Sequence, residues 1–218
     1  MTNSSHLETF CDMIEPMKSV TKEIILKRVH ERVATVSIGA STLRNQGAKG
    51  VIKTARDFLA NKVDLADLEG VTAIQFNKWL DNKTNALKNK FPGEAKGNWG
   101  AARKAINIFL EECFLNRLLA EEYNLTPMAE FLEVPLDSNV ANTIIEESEK
   151  KGLTWTSIKC LTPKQSGLFQ ECATILATNK GTQRGYLDLW YWQKRDDTTK
   201  HQRSYQHKPN LSPPSTSS

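Results

Sequence analysis

No run of apolar residues in this 218-residue chain approaches the roughly 20 that a membrane-spanning helix requires. Cysteine is scarce, with Cys11, Cys113, Cys160 and Cys172 far apart and no CxxC pair among them. That spacing excludes a cysteine-held zinc or an iron–sulfur cluster. Histidine is equally thin, at His6, His30, His201 and His207, so no histidine metal site is expected. The first 16 residues lack the basic and apolar regions of a signal peptide, which sets the expectation of a cytoplasmic protein with reduced thiols. A strong charge of either sign is also missing. The formal net charge of +4 divides into +3 on residues 194–218 and only +1 on residues 1–193.

What is present is an ordinary interior: 39% apolar and 25% charged residues, in a length that suits one domain or a two-lobed unit around one cleft. Residues 1–193 form that unit, and 194–218 read as a basic, disordered tail rich in Ser and Pro. Strand alternation is hard to find and helical spacing dominates, so the fold class is all-α. Residues 18–34 place Val20, Ile24, Leu26 and Val29 near helical spacing. A second helix builds towards Phe58 and Leu59. A third carries Val71, Ile74, Trp79, Leu80 and Leu87, and Pro92-Gly93 ends it. The longest pattern covers 101–123, with Ile106, Phe109, Leu110, Phe114, Leu118 and Leu119 in one stripe. A loop leads to a helix from Ser138 that Gly152 closes, and Thr162-Pro163-Lys164-Gln165 reads as a capping box opening a last long helix to about Asn179. Tyr186, Trp190, Tyr191 and Trp192 then crowd into seven residues.

Two segments carry the chemistry. In 97–110, Gly97 and Gly100 bracket a tight turn that feeds straight into the longest helix, a geometry that turns backbone N–H groups outward to hold a phosphate. Lys104 lies in the first turn or so of that helix beside Arg103, whose charge would make a partly buried amine easier to deprotonate and so a usable nucleophile. In 133–144, Asp137 stands just ahead of a new helix, where N–H groups would keep its carboxylate ionised. Taken alone, such a Lys is usually a solvated side chain and such an Asp usually an N-cap.

The stretch from Gly100 to Leu110, with Lys104 inside it, resembles the hairpin-and-helix signature of the helix-hairpin-helix DNA glycosylases. Leu136-Asp137-Ser138-Asn139-Val140 is similar to the later segment that carries that superfamily's aspartate, and residues 43–48 resemble its LSAQAT stretch, in which a Gln fills the hole left by an extruded nucleotide. Ala102 stands where the second hairpin glycine is usual, and Asn98-Trp99 where Leu-Pro is. The 33-residue interval from Lys104 to Asp137 resembles the archaeal 8-oxoguanine DNA glycosylase group, which lacks the iron–sulfur cluster. Asp188 and Trp192 reproduce the one-turn spacing of that group's base pocket, and Ile108 takes the place of its stacking Phe.

The resemblance implies a two-lobed helical fold with a central cleft, acting as a monomer without cofactor or metal on double-stranded DNA that carries a damaged or modified base. Lys104 would be the Schiff-base nucleophile and Asp137 its electrostatic and acid–base partner. Asp188, Trp192 and Ile108 would hold the flipped base, while Arg44, Asn45, Gln46, Gly97, Trp99, Gly100 and Arg103 would contact DNA. Oxidised guanine is the favoured substrate and a hypermodified base, as in phage DNA, the next; the role would be repair or phage defence, in the cytoplasm and beside the nucleoid if the cell is bacterial or archaeal. Two other readings stay open: a non-catalytic helix-hairpin-helix module that binds DNA, and a helical interaction domain.

Overall fold

A computed structural model describes residues 21–148 and 150–191. Trp192 and the tail 194–218 lie outside the described residues. Within them every regular element is a helix and there is no strand, so the fold is all-α as the spacing predicts. The chain runs through α1 (Lys22–Ser37), α2 (Val51–Lys62), α3 (Ala73–Lys90), α4 (Trp99–Leu115), α5 (Arg117–Glu122), α6 (Ser138–Ser148) and α7 (Pro163–Asn179). Short 3-10 turns join them, and residues 187–191 add a further helical turn.

Side-chain caps set several of the helix starts. Thr162 and Gln165 bond reciprocally across the first turn of α7, Oγ1 accepting from the Gln165 N–H at 3.2 Å and Gln165 Oε1 from the Thr162 N–H at 3.2 Å. Thr72 and Gln75 do the same for α3, and Asn98 Oδ1 accepts from the Ala101 N–H at 3.0 Å to open α4.

The structure corrects the helix pattern in two places. The predicted 101–123 helix breaks at Asn116, which leaves helical dihedrals (φ −82°, ψ 109°) to end α4 and cap α5, its side chain accepting from the Leu119 N–H at 3.2 Å. A polar residue able to cap a new start costs little at such a break. Ile24, Ile74 and Leu118 are exposed rather than in the core. Each lies one or two residues from a true core position (Leu26, Phe76, Leu119), and a step of 100° per residue carries it off the buried face.

Buried residues form two clusters. One gathers α1 to α5 around Phe76, Leu80, Leu87, Ile106 and Phe109; the other packs α6 and α7 with Trp99, Leu187 and Tyr191. Helix α4 is the central element, with 14 of its 17 residues buried. A helix buried on nearly every face must find partners for any polar side chain it carries, and α4 does so in two adjacent stripes.

The first stripe is Arg103 and Asn107. Arg103 forks onto Glu133, Nε to Oε2 at 2.8 Å and Nη2 to Oε1 at 2.7 Å, and its Nη1 reaches Asp81 at 2.8 Å. Asn107 donates to the same Glu133 at 3.1 Å. Burial alone would raise the Glu133 carboxyl, but the Arg103 bonds and charge outweigh it and hold it below its ordinary value. Arg184 donates to the carbonyls of Phe131 and Leu132, each at 2.9 Å, while Gln170 bonds both the N–H and the C=O of Val134. The segment 131–134 that leads to Asp137 is therefore held by side chains of α4, of α7 and of the turn at Arg184.

Glu133→Gln is expected to lower unfolding stability by about 3 kcal/mol, since it leaves the Arg103 charge buried and half-paired. The loss should shrink on acidification in chemical-denaturation curves. A carboxyl lowered by folding stabilises above its unfolded pKa and ceases to as pH falls through its folded one.

Candidate active site

The second stripe of α4 carries Lys104 and Ile108, one residue on from Arg103 and Asn107 and so rotated by about 100°. It faces a cavity of about 410 Å³, within the range of small-ligand sites. Lys104 and Ile108 form one wall. Asp137, Ser138 and Asn139, at the start of α6, continue the lining beside them. The loop ahead of α2 contributes Ser41, Thr42, Arg44 and Gln46, and Ile158 and Asp188 complete the lining.

Lys104 Nζ lies 3.1 Å from Asp137 Oδ2, joining residues 33 apart in sequence. The other Asp137 oxygen accepts from the N–H groups of Asn139 and Val140 at 2.9 and 3.0 Å. One carboxylate thus serves both readings made from sequence: Oδ1 caps α6 and Oδ2 faces the lysine. The Lys104 side chain is 9% exposed and that of Asp137 28%, so the pair sits at a wall rather than on open surface.

Of the residues singled out from sequence, Lys104, Asp137, Ile108, Asp188, Arg44 and Gln46 line this one cavity. Gln46 is placed differently from the expectation of a free wedge. It is 5% exposed, its amide donates to the Arg44 carbonyl at 2.8 Å, and its Oε1 accepts from Asn98 Nδ2 at 2.6 Å. It is a fixed wall. The exposed residues at that tip are Arg44 and Asn45, the latter in the left-handed region with φ +59°.

The turn at 97–100 departs from the expected phosphate clamp. The Gly97 N–H is spent on the Lys88 carbonyl at 2.9 Å, and those of Ala101 and Ala102 on Asn98. Gly97 is exposed with φ +85°, whereas Trp99 and Gly100 are buried. A Cβ at Gly100 would stand 2.2 Å from the Ile158 carbonyl oxygen, so this glycine lets the 158–161 segment close over α4. Arg103 is likewise committed to Glu133 and Asp81, with its guanidinium 5.3 Å from the Trp99 ring, and is no free cation beside Lys104. Trp99, Gly100 and Arg103 hold the fold together behind the cavity.

Gly100→Ala should accordingly lower the melting temperature, with a cost of about 1–3 kcal/mol from overpacking against backbone. Gly167→Ala, inside α7 with open space around it, should raise it instead. Thermal unfolding of the two variants checks the contrast.

Sequence reasoning passed over Glu133, Arg184 and Gln170, whose partners are backbone groups or a charge over 20 residues distant. It also passed over Glu111. This residue is 7% exposed and its Oε1 has no hydrogen-bond partner. Burial, and then the charges of Asp188 and Glu112, push its carboxyl up to about 8. A signal existed: Glu111 follows Lys104 by seven residues, a charged side chain on a helix face that is otherwise for burial. Among the described residues no three His, Cys, Asp or Glu side chains gather as metal ligands, and no helix is long and apolar enough to cross a membrane.

Compared with known protein families, with curated proteins and with solved structures, the chain matches none.

Proposed function

We propose that this protein is a DNA glycosylase with AP-lyase activity, which flips a damaged or modified base out of duplex DNA and excises it with Lys104. The observation that carries the reading is the Lys104–Asp137 contact of 3.1 Å on the wall of a 410 Å³ cavity. An amine and a carboxylate from distant segments, each fixed by its helix and open to a base-sized space, are what attack at a sugar carbon needs.

A base stacked in a duplex is out of reach, so the nucleotide must leave the stack, at a cost of a few kcal/mol that pocket contacts offset. Arg44, which lines the cavity, and its neighbour Asn45 are both exposed and in this reading enter the vacated space. Lys104 passes its proton by way of Asp137 to water, which leaves the carboxylate ionised, and the free amine attacks C1′ of the sugar. The bond from C1′ to the base breaks as the new C–N bond forms, and the base leaves with its electron pair and takes up a proton. Asp137, still held by the α6 N–H groups, offsets positive charge on the sugar in that transition state. Ring opening yields a Schiff base, and loss of a proton from C2′ expels the 3′ phosphate and nicks the strand. No step calls for a metal or cofactor.

Oxidised guanine remains the favoured substrate and a hypermodified base of phage DNA the second. Borohydride trapping tests the reading on duplexes that carry an abasic site, oxidised guanine or a hypermodified base. A covalent adduct on at least one is expected. Salt-sensitive DNA binding without any adduct would instead identify a non-catalytic module, and absence of binding an interaction domain.

A further inference from the structure

We propose that the corner where the 44–50 loop, the 93–98 turn and the 157–160 turn meet holds the DNA backbone, with Lys49, Lys96 and Lys159 each neutralising a phosphate beside the cavity. The inference rests on the glycosylase reading for its partner, duplex DNA. It assigns the backbone grip that the 97–100 turn, with its N–H groups spent, does not supply.

Three segments distant in sequence are joined at this corner. Asn98 Nδ2 donates to Gln46 Oε1 at 2.6 Å. A Cβ placed on Gly93 would meet the Ala48 side chain at 3.4 Å, and one placed on Gly50 would meet Pro92 at 3.9 Å. Gly47 is exposed and in the left-handed region with φ +86°, and the Lys159 ammonium lies 3.7 Å from where its Cβ would stand. Lys159 directly follows Ile158, which lines the cavity, and the loop it reaches supplies Arg44 and Gln46 to the same cavity. The lysine is therefore tied to the cavity's edge through both segments.

Charge is segregated here. Residues 38–50, 86–98 and 153–162 hold Arg44, Lys49, Lys88, Lys90, Lys96 and Lys159 against Glu94 alone, which is +5 within a body (residues 1–193) that sums to +1. Lys49, Lys96 and Lys159 are exposed, and among the described residues none of them makes an ion pair or a side-chain hydrogen bond. Exposed lysines elsewhere do find carboxylates, as Lys22 does with Glu122 and Lys53 with Asp57. A single exposed lysine is usually just solvated, so the weight falls on their gathering. Like charges collected in this way repel one another in the free protein, and a polyanion relieves that repulsion. Glu94 Oε2 stands 3.0 Å from the same Gly47 Cβ position, so it lessens the field beside Lys159 without reversing it. Duplex DNA is the polyanion that fits, because this rim adjoins a base-sized cavity with the Lys104–Asp137 pair on its wall.

The test is the salt dependence of binding. Fluorescence anisotropy of the full chain on a short DNA duplex is followed between about 50 and 200 mM salt. The cations of 194–218 are common to every variant and cancel in the comparison. Each phosphate neutralised adds about 0.9 to the fall of log K with log salt. Lys49→Gln, Lys96→Gln and Lys159→Gln should therefore each reduce the slope by about 0.9, and the triple variant by about 2.7, with affinity at the lower salt down at least about tenfold. Glu94→Gln should bind about twofold or more tighter. Lys62→Gln removes the same charge from the far end of α2, about 16 Å from its start, and should leave the slope unchanged. Melting temperatures should stay level, since no variant removes a partnered side chain. An unchanged slope in the triple variant, or an equal reduction in Lys62→Gln, would overturn the assignment. Loss of single-stranded RNA binding in the triple variant, with duplex binding intact, would overturn it in favour of an RNA surface. The expected slopes without any borohydride adduct uphold the surface and remove the Lys104 chemistry. Adduct formation by the wild type, with slope and affinity unchanged in the triple variant, does the reverse. If the wild type binds no duplex, the glycosylase reading falls and the surface with it.

Discussion

Lys104→Ala is expected to abolish the covalent adduct on borohydride treatment and to reduce base release by roughly 10³-fold or more, because the bond-forming atom is gone. The fold should survive. Asp137 keeps its two N–H partners from α6, and at 28% exposure it also reaches solvent. Lys104→Arg sharpens the result. The guanidinium preserves the positive charge opposite Asp137 but stays protonated and forms no Schiff base. If adduct formation persists in Lys104→Ala, another amine is the nucleophile. If Lys104→Arg keeps full base release, the lysine acts only as a charge.

The second large effect is expected at Asp137. Its two oxygens divide their duties, Oδ1 to the amides of Asn139 and Val140 and Oδ2 to Lys104. Asparagine caps a helix about as well as aspartate, so Asp137→Asn keeps the cap and removes the charge. Base release should fall about 10²–10³-fold, as for other losses of transition-state electrostatics, with melting temperature and DNA affinity nearly unchanged. The converse substitution, Asp137→Ala, removes both and should add a stability loss of about 1 kcal/mol. Equal effects of Asn and Ala on rate and stability would reduce Asp137 to a cap. Denaturation curves and single-turnover rates on the same preparations decide it.

How much of this could be read from sequence follows the range of the forces involved. The α7 start was legible because a capping box is local: Thr162, Pro163 and Gln165 contain the whole interaction. The Lys104–Asp137 pair was legible only through the resemblance, since nothing in either segment points to the other across 33 residues. Their meeting depends on Arg103, Asn107, Arg184 and Gln170 pinning the segment before Asp137.

Non-local packing explains what was misread. Arg103 reads as a free cation until Glu133 and Asp81 are placed beside it, and Gly100 as a phosphate turn until Ile158 closes over it. Gln46 reads as a wedge until Asn98 takes its side chain. Ile74 is apolar yet exposed because its stripe is out of phase with Phe76 and Leu80, which only the tertiary contacts reveal. The α4–α5 break is a case between, since Asn116 carries a cap signal that an unbroken apolar stripe conceals.

The two stripes of α4 bear on how such a protein could change. Arg103 and Asn107 tie the helix to Glu133, so a substitution there disturbs the spacing of Lys104 and Asp137 and is paid for in folding, and in the proposed reaction it would be felt in the rate as well. The lining contributed by Ser41, Thr42, Ser138, Asn139 and Ile158 comes from loops and a helix start instead. Those positions can vary in size and polarity without reaching the clamp. On the proposed glycosylase reading, reactivity would be held by the interior and the choice of base left to the periphery, so that a handful of replacements around an unaltered Lys104 would exchange one target for another.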